Sequence, residues 1–80
     1  VLAFEEKWRE YFNVKHAVSV NSATSGLIAA LGALDLEPGD EVIVSPWTMS
    51  ATATAILVWN AIPVFADIED QTFCLDPLTV

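Results

Sequence analysis

Residues 18–31, Val18-Ser19-Val20-Asn21-Ser22-Ala23-Thr24-Ser25-Gly26-Leu27-Ile28-Ala29-Ala30-Leu31, constrain the fold of this 80-residue chain more than any other stretch. A β-branched run opens it, and Leu27, Leu31 and Leu34 at helical spacing close it. Six small residues, Asn21 to Gly26, lie between. A strand that passes straight into a helix through such residues leaves the first helical N–H groups free and pointing outward. Those donors, with the positive end of the helix dipole, suit a phosphate group. Asn21 or Ser22 suits the N-cap, and the Ser22 and Thr24 hydroxyls add donors. A capped turn that binds nothing has the same composition, and the glycine spacing of a dinucleotide fingerprint is absent. Taken alone, the stretch leaves both open.

The flanking sequence alternates in kind. Leu2, Phe4, Trp8, Tyr11 and Phe12 fall at helical spacing, with Glu5 and Arg9 placed for an i,i+4 ion pair and Asn13 suited to a left-handed helix stop. A strand is expected over 16–20 and a helix over 24–34. Asp35-Leu36-Glu37-Pro38-Gly39-Asp40 marks a turn. Val42-Ile43-Val44 reads as a strand covered on both faces. A helix is expected over 49–59, and its lack of any charge implies burial on most sides. Val64-Phe65-Ala66 is the third expected strand, followed by an acidic turn at Asp67-Ile68-Glu69-Asp70 and a helix start at Asp76-Pro77-Leu78. The order αβαβαβ, with helices as long as crossovers require, implies parallel strands and an α/β sheet of three-layer type.

Composition sets the remaining bounds. The chain is 54% hydrophobic, more apolar surface than so small a fold hides well. No run approaches the ~18 apolar residues of a membrane span, and no basic leader precedes an apolar segment. Residues 1–80 are therefore expected to be part of a longer large domain, cut at both ends, with apolar surface meant for the remainder or for a partner subunit. A net charge of −8 argues against a nucleic-acid partner. It does not exclude one small phosphate held by backbone donors. Cys74, the only cysteine, reads as a buried structural thiol alternating with apolar neighbours, and its isolation fits a reducing cytoplasm.

In parallel sheets ligands sit beyond the carboxyl ends of the strands. Here those ends are Asn21-Ser22-Ala23-Thr24, Ser45-Pro46-Trp47-Thr48-Met49 and Asp67-Ile68-Glu69. The first offers phosphate donors, the second flat or polarizable side chains that suit an aromatic ring, and the third a solvated acid.

These stretches follow one another at a familiar spacing. Phe4-Glu5-Glu6, Val14-Lys15-His16-Ala17-Val18, Asn21 to Leu27, Pro38-Gly39-Asp40-Glu41-Val42-Ile43, Thr48, Ala51-Thr52, Ala61-Ile62-Pro63-Val64-Phe65 and Asp67-Ile68 together resemble the DegT/StrS sugar aminotransferases. These are fold-type I enzymes that use pyridoxal 5'-phosphate. The resemblance covers the whole chain and implies the cofactor-binding side of the large domain. It implies that Ala23, Thr24 and Ser25 hold the cofactor phosphate, that Met49 stands where the family has a ring-stacking aromatic, and that Thr52 packs nearby. Ala23 replaces the commoner glycine, and Trp47 is a second candidate to cover the ring. The Schiff-base lysine belongs downstream, so no catalytic residue lies in this chain; Lys7 and Lys15 sit at the wrong end of the sheet. The implied reaction moves an amino group from an amino-acid donor to a nucleotide-linked keto sugar or a cyclitol, in a cytoplasmic homodimer. The alternatives are a dehydratase on the same scaffold and a non-catalytic α/β binding module.

Overall fold

The computed structural model describes all residues 1–80, in the order α1 (Leu2–Phe12), α2 (Ala23–Ala33), β1 (Glu41–Val44), α3 (Ala51–Val58) and β2 (Ile62–Phe65). β1 and β2 pair in parallel, Glu41 opposite Ile62 and Val44 opposite Phe65. The α3 crossover makes that direction the expected one. Pro63 lies inside β2 without breaking it. The N–H groups of Ile62 and Ala66 donate to the Asp40 and Val44 carbonyls at 2.7 and 3.1 Å. Residue 63 therefore has the opposite parity, and its missing N–H is on the side turned away from β1.

The core forms where α3 lies on this pair. Val44, Ile56 and Ala61 are buried, with Leu31, Leu36 and Val42 packed around them. α2 packs on α3, and Trp59 joins the two. Its indole Nε1 donates to the Ile28 carbonyl at 2.9 Å, and its ring lies over Gly32. Both helices lead into the N-terminal ends of parallel strands, so both helix N-termini face the carboxyl edge of the sheet. Short polar residues end the helices in left-handed conformation: Asn13 after α1, Asp35 beyond α2 and Asn60 beyond α3, at φ of 52°, 57° and 55°.

Four expectations need correction. His16–Val20 is not a strand, because a strand exists only through its ladder, and residues 15–21 make no backbone-to-backbone hydrogen bond. The segment is held instead by a side chain. Ser19 donates both its N–H and its hydroxyl to Glu5 Oε1, each at 2.8 Å. Glu5 is accordingly not paired with Arg9, which reaches Glu6 at 3.8 Å. Two short hydrogen bonds outweigh an exposed ion pair. Cys74 is exposed rather than buried. Ile68 and Leu75 bridge antiparallel, and Phe73 at φ 59° turns the chain so that the thiol faces out. Asp76-Pro77-Leu78 starts no helix. It forms a turn in which Asp76 Oδ1 accepts from the Leu78 N–H at 2.9 Å and the Thr79 N–H returns to the Asp76 carbonyl.

The apolar surplus is visible as open surface. Only 5 of 80 residues are buried. The Cα radius of gyration is 15.1 Å, against about 12 Å for a self-contained domain of this length. Two expectations of cover also need correction: Ala55 and Ile56 bury only one side of α3, with Leu57 and Val58 exposed, and β1 is covered on one face only, with Ile43 exposed. No helix is long and apolar enough to cross a membrane.

Candidate functional site

The N-terminus of α2 is built from its own small residues. Ser22 is extended, at φ −161° and ψ 159°, and its Oγ accepts the Ser25 N–H at 3.2 Å. The Ser25 hydroxyl donates to Asn21 Oδ1 at 2.6 Å and lies 3.1 Å from Ser22 Oγ. Gly26 N–H begins the helical ladder on the Ser22 carbonyl. Ser25 thus serves the cap with both its N–H and its hydroxyl. The N–H groups of Ala23 and Thr24 keep no partner within the chain. Sequence reasoning had Ser22 as one of two cap candidates but missed Asn21 as the second acceptor; the four-residue spacing to Ser25 was the available signal.

This turn fits a phosphate. Two adjacent N–H donors point out of a helix N-terminus, and no acidic residue stands in the first turn of α2. In a chain of net charge −8 that absence is informative, since a carboxylate there would occupy the same donors.

The second strand end is likewise organised by hydroxyls. Ser45 Oγ accepts the Trp47 N–H at 3.1 Å, which fixes the backbone just past β1. Met49 follows with its carbonyl taken by the Thr52 N–H at 3.0 Å, and Thr48 and Thr52 share a hydroxyl contact of 3.2 Å. Thr52 is half-buried with its hydroxyl engaged. The side chains of Met49 and Trp47 are free, 77% and 70% exposed. Ala23, Thr24 and Ser25 open α2, while Met49 and Thr52 lie at the start of α3, the helix packed against it. The third strand end does less: Asp67 Oδ1 accepts its neighbour Ile68 N–H at 2.8 Å and so caps its own turn.

Neither lysine belongs to these turns. Lys7 lies on α1, and Lys15 begins the segment whose far end enters α2. A groove between α1 and residues 14–20 is lined by Phe4, Trp8, Val14, His16 and Val18 and by none of Ala23, Thr24, Ser25, Met49 or Thr52.

Comparison with known proteins identifies relatives over nearly the whole chain. The spore coat polysaccharide biosynthesis protein SpsC of Bacillus subtilis (strain 168) is 49% identical over 78 residues, which are 98% of this chain and 20% of that protein. The L-glutamine:2-deoxy-scyllo-inosose aminotransferase of Streptomyces kanamyceticus is 42% identical over 74 residues, 92% of this chain and 17% of that enzyme. Among solved structures, NtdA from Bacillus subtilis with bound cofactor PMP superposes with a TM-score of 0.94 at 37% identity, covering 99% of this chain and 18% of NtdA. The chain spans about a fifth of the length of such relatives. The family profile itself matches residues 1–80, end to end, and the chain belongs to the DegT/DnrJ/EryC1/StrS aminotransferase family.

Proposed function

We propose that this chain forms the phosphate-holding part of a pyridoxal phosphate-dependent aminotransferase. The full protein would transfer an amino group from glutamate or glutamine to the keto group of a nucleotide-linked sugar or a cyclitol. The observation that carries the reading is the pair of free N–H groups at Ala23 and Thr24, in an acid-free helix N-terminus. The names of relatives support the substrate class: a glutamine:inosose aminotransferase, a 3-oxo-glucose-6-phosphate:glutamate aminotransferase and a GDP-perosamine synthase.

Pyridoxal phosphate, when bound, supplies the electron sink and the carbonyl that carries the amino group. The residues of this chain bind and orient. Ala23 and Thr24 would hold the phosphate with their free backbone N–H groups, and the Thr24 hydroxyl would add a third donor. Ser25 stiffens the turn through Asn21 and Ser22. Met49 would offer its thioether to the cofactor ring, as polarizable sulfur can, and the Thr52 N–H fixes the turn by bonding to the Met49 carbonyl. The lysine of the reaction lies outside these 80 residues. The protein works as a homodimer in the cytoplasm.

The test uses the full-length protein. Thr24→Pro removes two of the proposed donors, the free N–H and the hydroxyl, without removing a helical hydrogen bond, because the Thr24 N–H has no partner within the chain. A charge-assisted hydrogen bond contributes ~1.5–3 kcal/mol, so cofactor affinity should fall by tenfold or more. Unchanged affinity with the fold intact by circular dichroism would return the turn to a cap that binds nothing. The wild-type protein should form a visible absorbance band with pyridoxal phosphate that borohydride abolishes. It should also pass nitrogen from L-glutamate or L-glutamine to 2-deoxy-scyllo-inosose or 3-oxo-glucose 6-phosphate, or draw nitrogen in reverse from GDP-perosamine. Absence of the band together with absence of every transfer rejects the reading.

A further inference from the structure

We infer that Glu5 is a positioning residue for the phosphate turn, acting through Ser19 to set where the Ala23 and Thr24 N–H groups stand; this rests on the function proposed above. Glu5 Oε1 accepts both the Ser19 N–H and the Ser19 hydroxyl, each at 2.8 Å. An ionised carboxylate makes both bonds charge-assisted, the stronger kind. They are the only hydrogen bonds that residues 15–20 make within residues 1–80. α1 packs on no other helix and on neither strand of the chain. Its one polar tie beyond its own ends therefore goes to the segment that leads into α2.

From Ser19 the chain reaches the turn in three residues. Val20 comes first, and its Cγ2 lies 3.5 Å from where a Cβ on Gly26 would stand, so Val20 rests on the first turn of α2. Asn21 and Ser22 follow, and they hold the Ser25 hydroxyl and N–H. Ser19, anchored at both donors, fixes the approach of Val20 and the Asn21-Ser22 cap. That approach fixes the direction of the Ala23 and Thr24 N–H groups, and hydrogen bonds weaken steeply when misaligned. The sign of the effect separates this role from a plain charge effect. Glu5 is an acid in a chain of net charge −8. Acting on a phosphate through its charge alone, it would repel it, and its removal would tighten binding. Acting as an anchor, its removal weakens binding.

The experiment compares two ligands on the cofactor-free full-length protein by equilibrium dialysis. One is pyridoxal 5'-phosphate; the other is pyridoxal, the same ring and aldehyde without the phosphate. Glu5→Ala should weaken pyridoxal 5'-phosphate about tenfold, the size of one charge-assisted hydrogen bond, and leave pyridoxal within about twofold. Glu5→Gln keeps an oxygen acceptor in place and loses the charge, so it should restore most of the affinity, to within about threefold of wild type. Ser19→Ala keeps the N–H bond and gives up the hydroxyl, also for a loss of about threefold. Combined with Glu5→Ala, it should weaken binding no further, because both changes remove one anchor. The inference is overturned if Glu5→Ala leaves pyridoxal 5'-phosphate affinity unchanged or raises it. It is equally overturned if pyridoxal weakens in parallel, or if the losses from Glu5→Ala and Ser19→Ala add. Should Glu5→Ala fail to fold by circular dichroism, Glu5→Gln and Ser19→Ala carry the ligand comparison: a selective loss of pyridoxal 5'-phosphate in Ser19→Ala supports the anchor, and none overturns it. A wild type that binds pyridoxal 5'-phosphate no better than pyridoxal rejects the phosphate turn and the function proposed above. A wild type with that preference, kept in full by Glu5→Ala, rejects this inference alone.

Discussion

Gly32→Ala tests how the two helices behind the candidate site are held. A Cβ at residue 32 would come within 2.5 Å of Trp59 Cζ2 and 2.9 Å of Cη2. Real methyl groups do not approach so closely, so either α2 or the indole must move. The indole is tied, because its Nε1 donates to the Ile28 carbonyl one turn back on α2 at 2.9 Å. Overpacking of this kind costs about 1–3 kcal/mol, and releasing the indole adds about 1 kcal/mol. Alanine returns about 0.8–1 kcal/mol as the better helix former. The balance is a loss of about 1–3 kcal/mol. It lowers the urea midpoint by that loss divided by the slope of the unfolding transition. Urea unfolding of the full-length protein followed by circular dichroism reads it. The Trp59→Phe background supplies the control, since the smaller ring vacates the space over residue 32. There the same Gly32→Ala change should stabilise by about 0.5–1 kcal/mol. A neutral or stabilising Gly32→Ala with Trp59 in place would refute the account of the helix contact.

The other expectations are shorter. Ser22→Ala removes the acceptor for the Ser25 N–H and should cost about 1 kcal/mol of stability; a midpoint equal to wild type would mean the cap is idle. The Glu5 carboxyl is held below the usual carboxylate range, first by the Ser19 N–H and then by the Ser19 hydroxyl. A lowered folded pKa means that its stabilisation is full above the unfolded value of about 4.3 and is lost as pH falls through the folded value. A carbon-13 NMR titration placing Glu5 at or above the unfolded value, or an acid limb of stability that Glu5→Gln leaves unaltered, would contradict this. Residues 1–80 in isolation, with 5 residues buried, should self-associate at micromolar concentration. A monodisperse monomer with cooperative unfolding in sedimentation and denaturation experiments would show that the apolar surface has been misjudged.

What could be read from the residues depended on whether the cause was local. α1 is legible because its aromatic spacing and the Asn13 stop both act within one turn of helix. The Pro38-Gly39 turn, the apolar β1 and the uncharged α3 are legible for the same reason. Residues 16–20 have the composition of a strand, but a strand is a relation between two segments, and no second segment lies beside them. The helical rule pairs Glu5 with Arg9 because it compares neighbours, whereas the partner in the structure, Ser19, is 14 residues away. The apolar alternation around Cys74 points to a buried thiol because a bulky Phe73 at positive φ is a conformation that composition does not announce.

The candidate site was legible to the degree that it is made of backbone. Ala23 and Thr24 are free donors because no nearby side chain competes for them, which follows from the six small residues of the turn. Charge distribution then limits how an anion is held there. Every lysine, arginine and histidine of the chain falls within residues 7–16, while residues 17–80 carry acids only. A phosphate at α2 therefore meets no cationic side chain from those residues. The contribution of this turn comes from short-range hydrogen bonds and the helix dipole, both effective within about one helical turn. Unlike a lysine cluster, such a site draws no anion from a distance, so the part of cofactor affinity lost in Thr24→Pro should vary little with ionic strength. A strong salt dependence of that difference would mean that a cation from elsewhere in the protein shares the phosphate and that the turn only positions it.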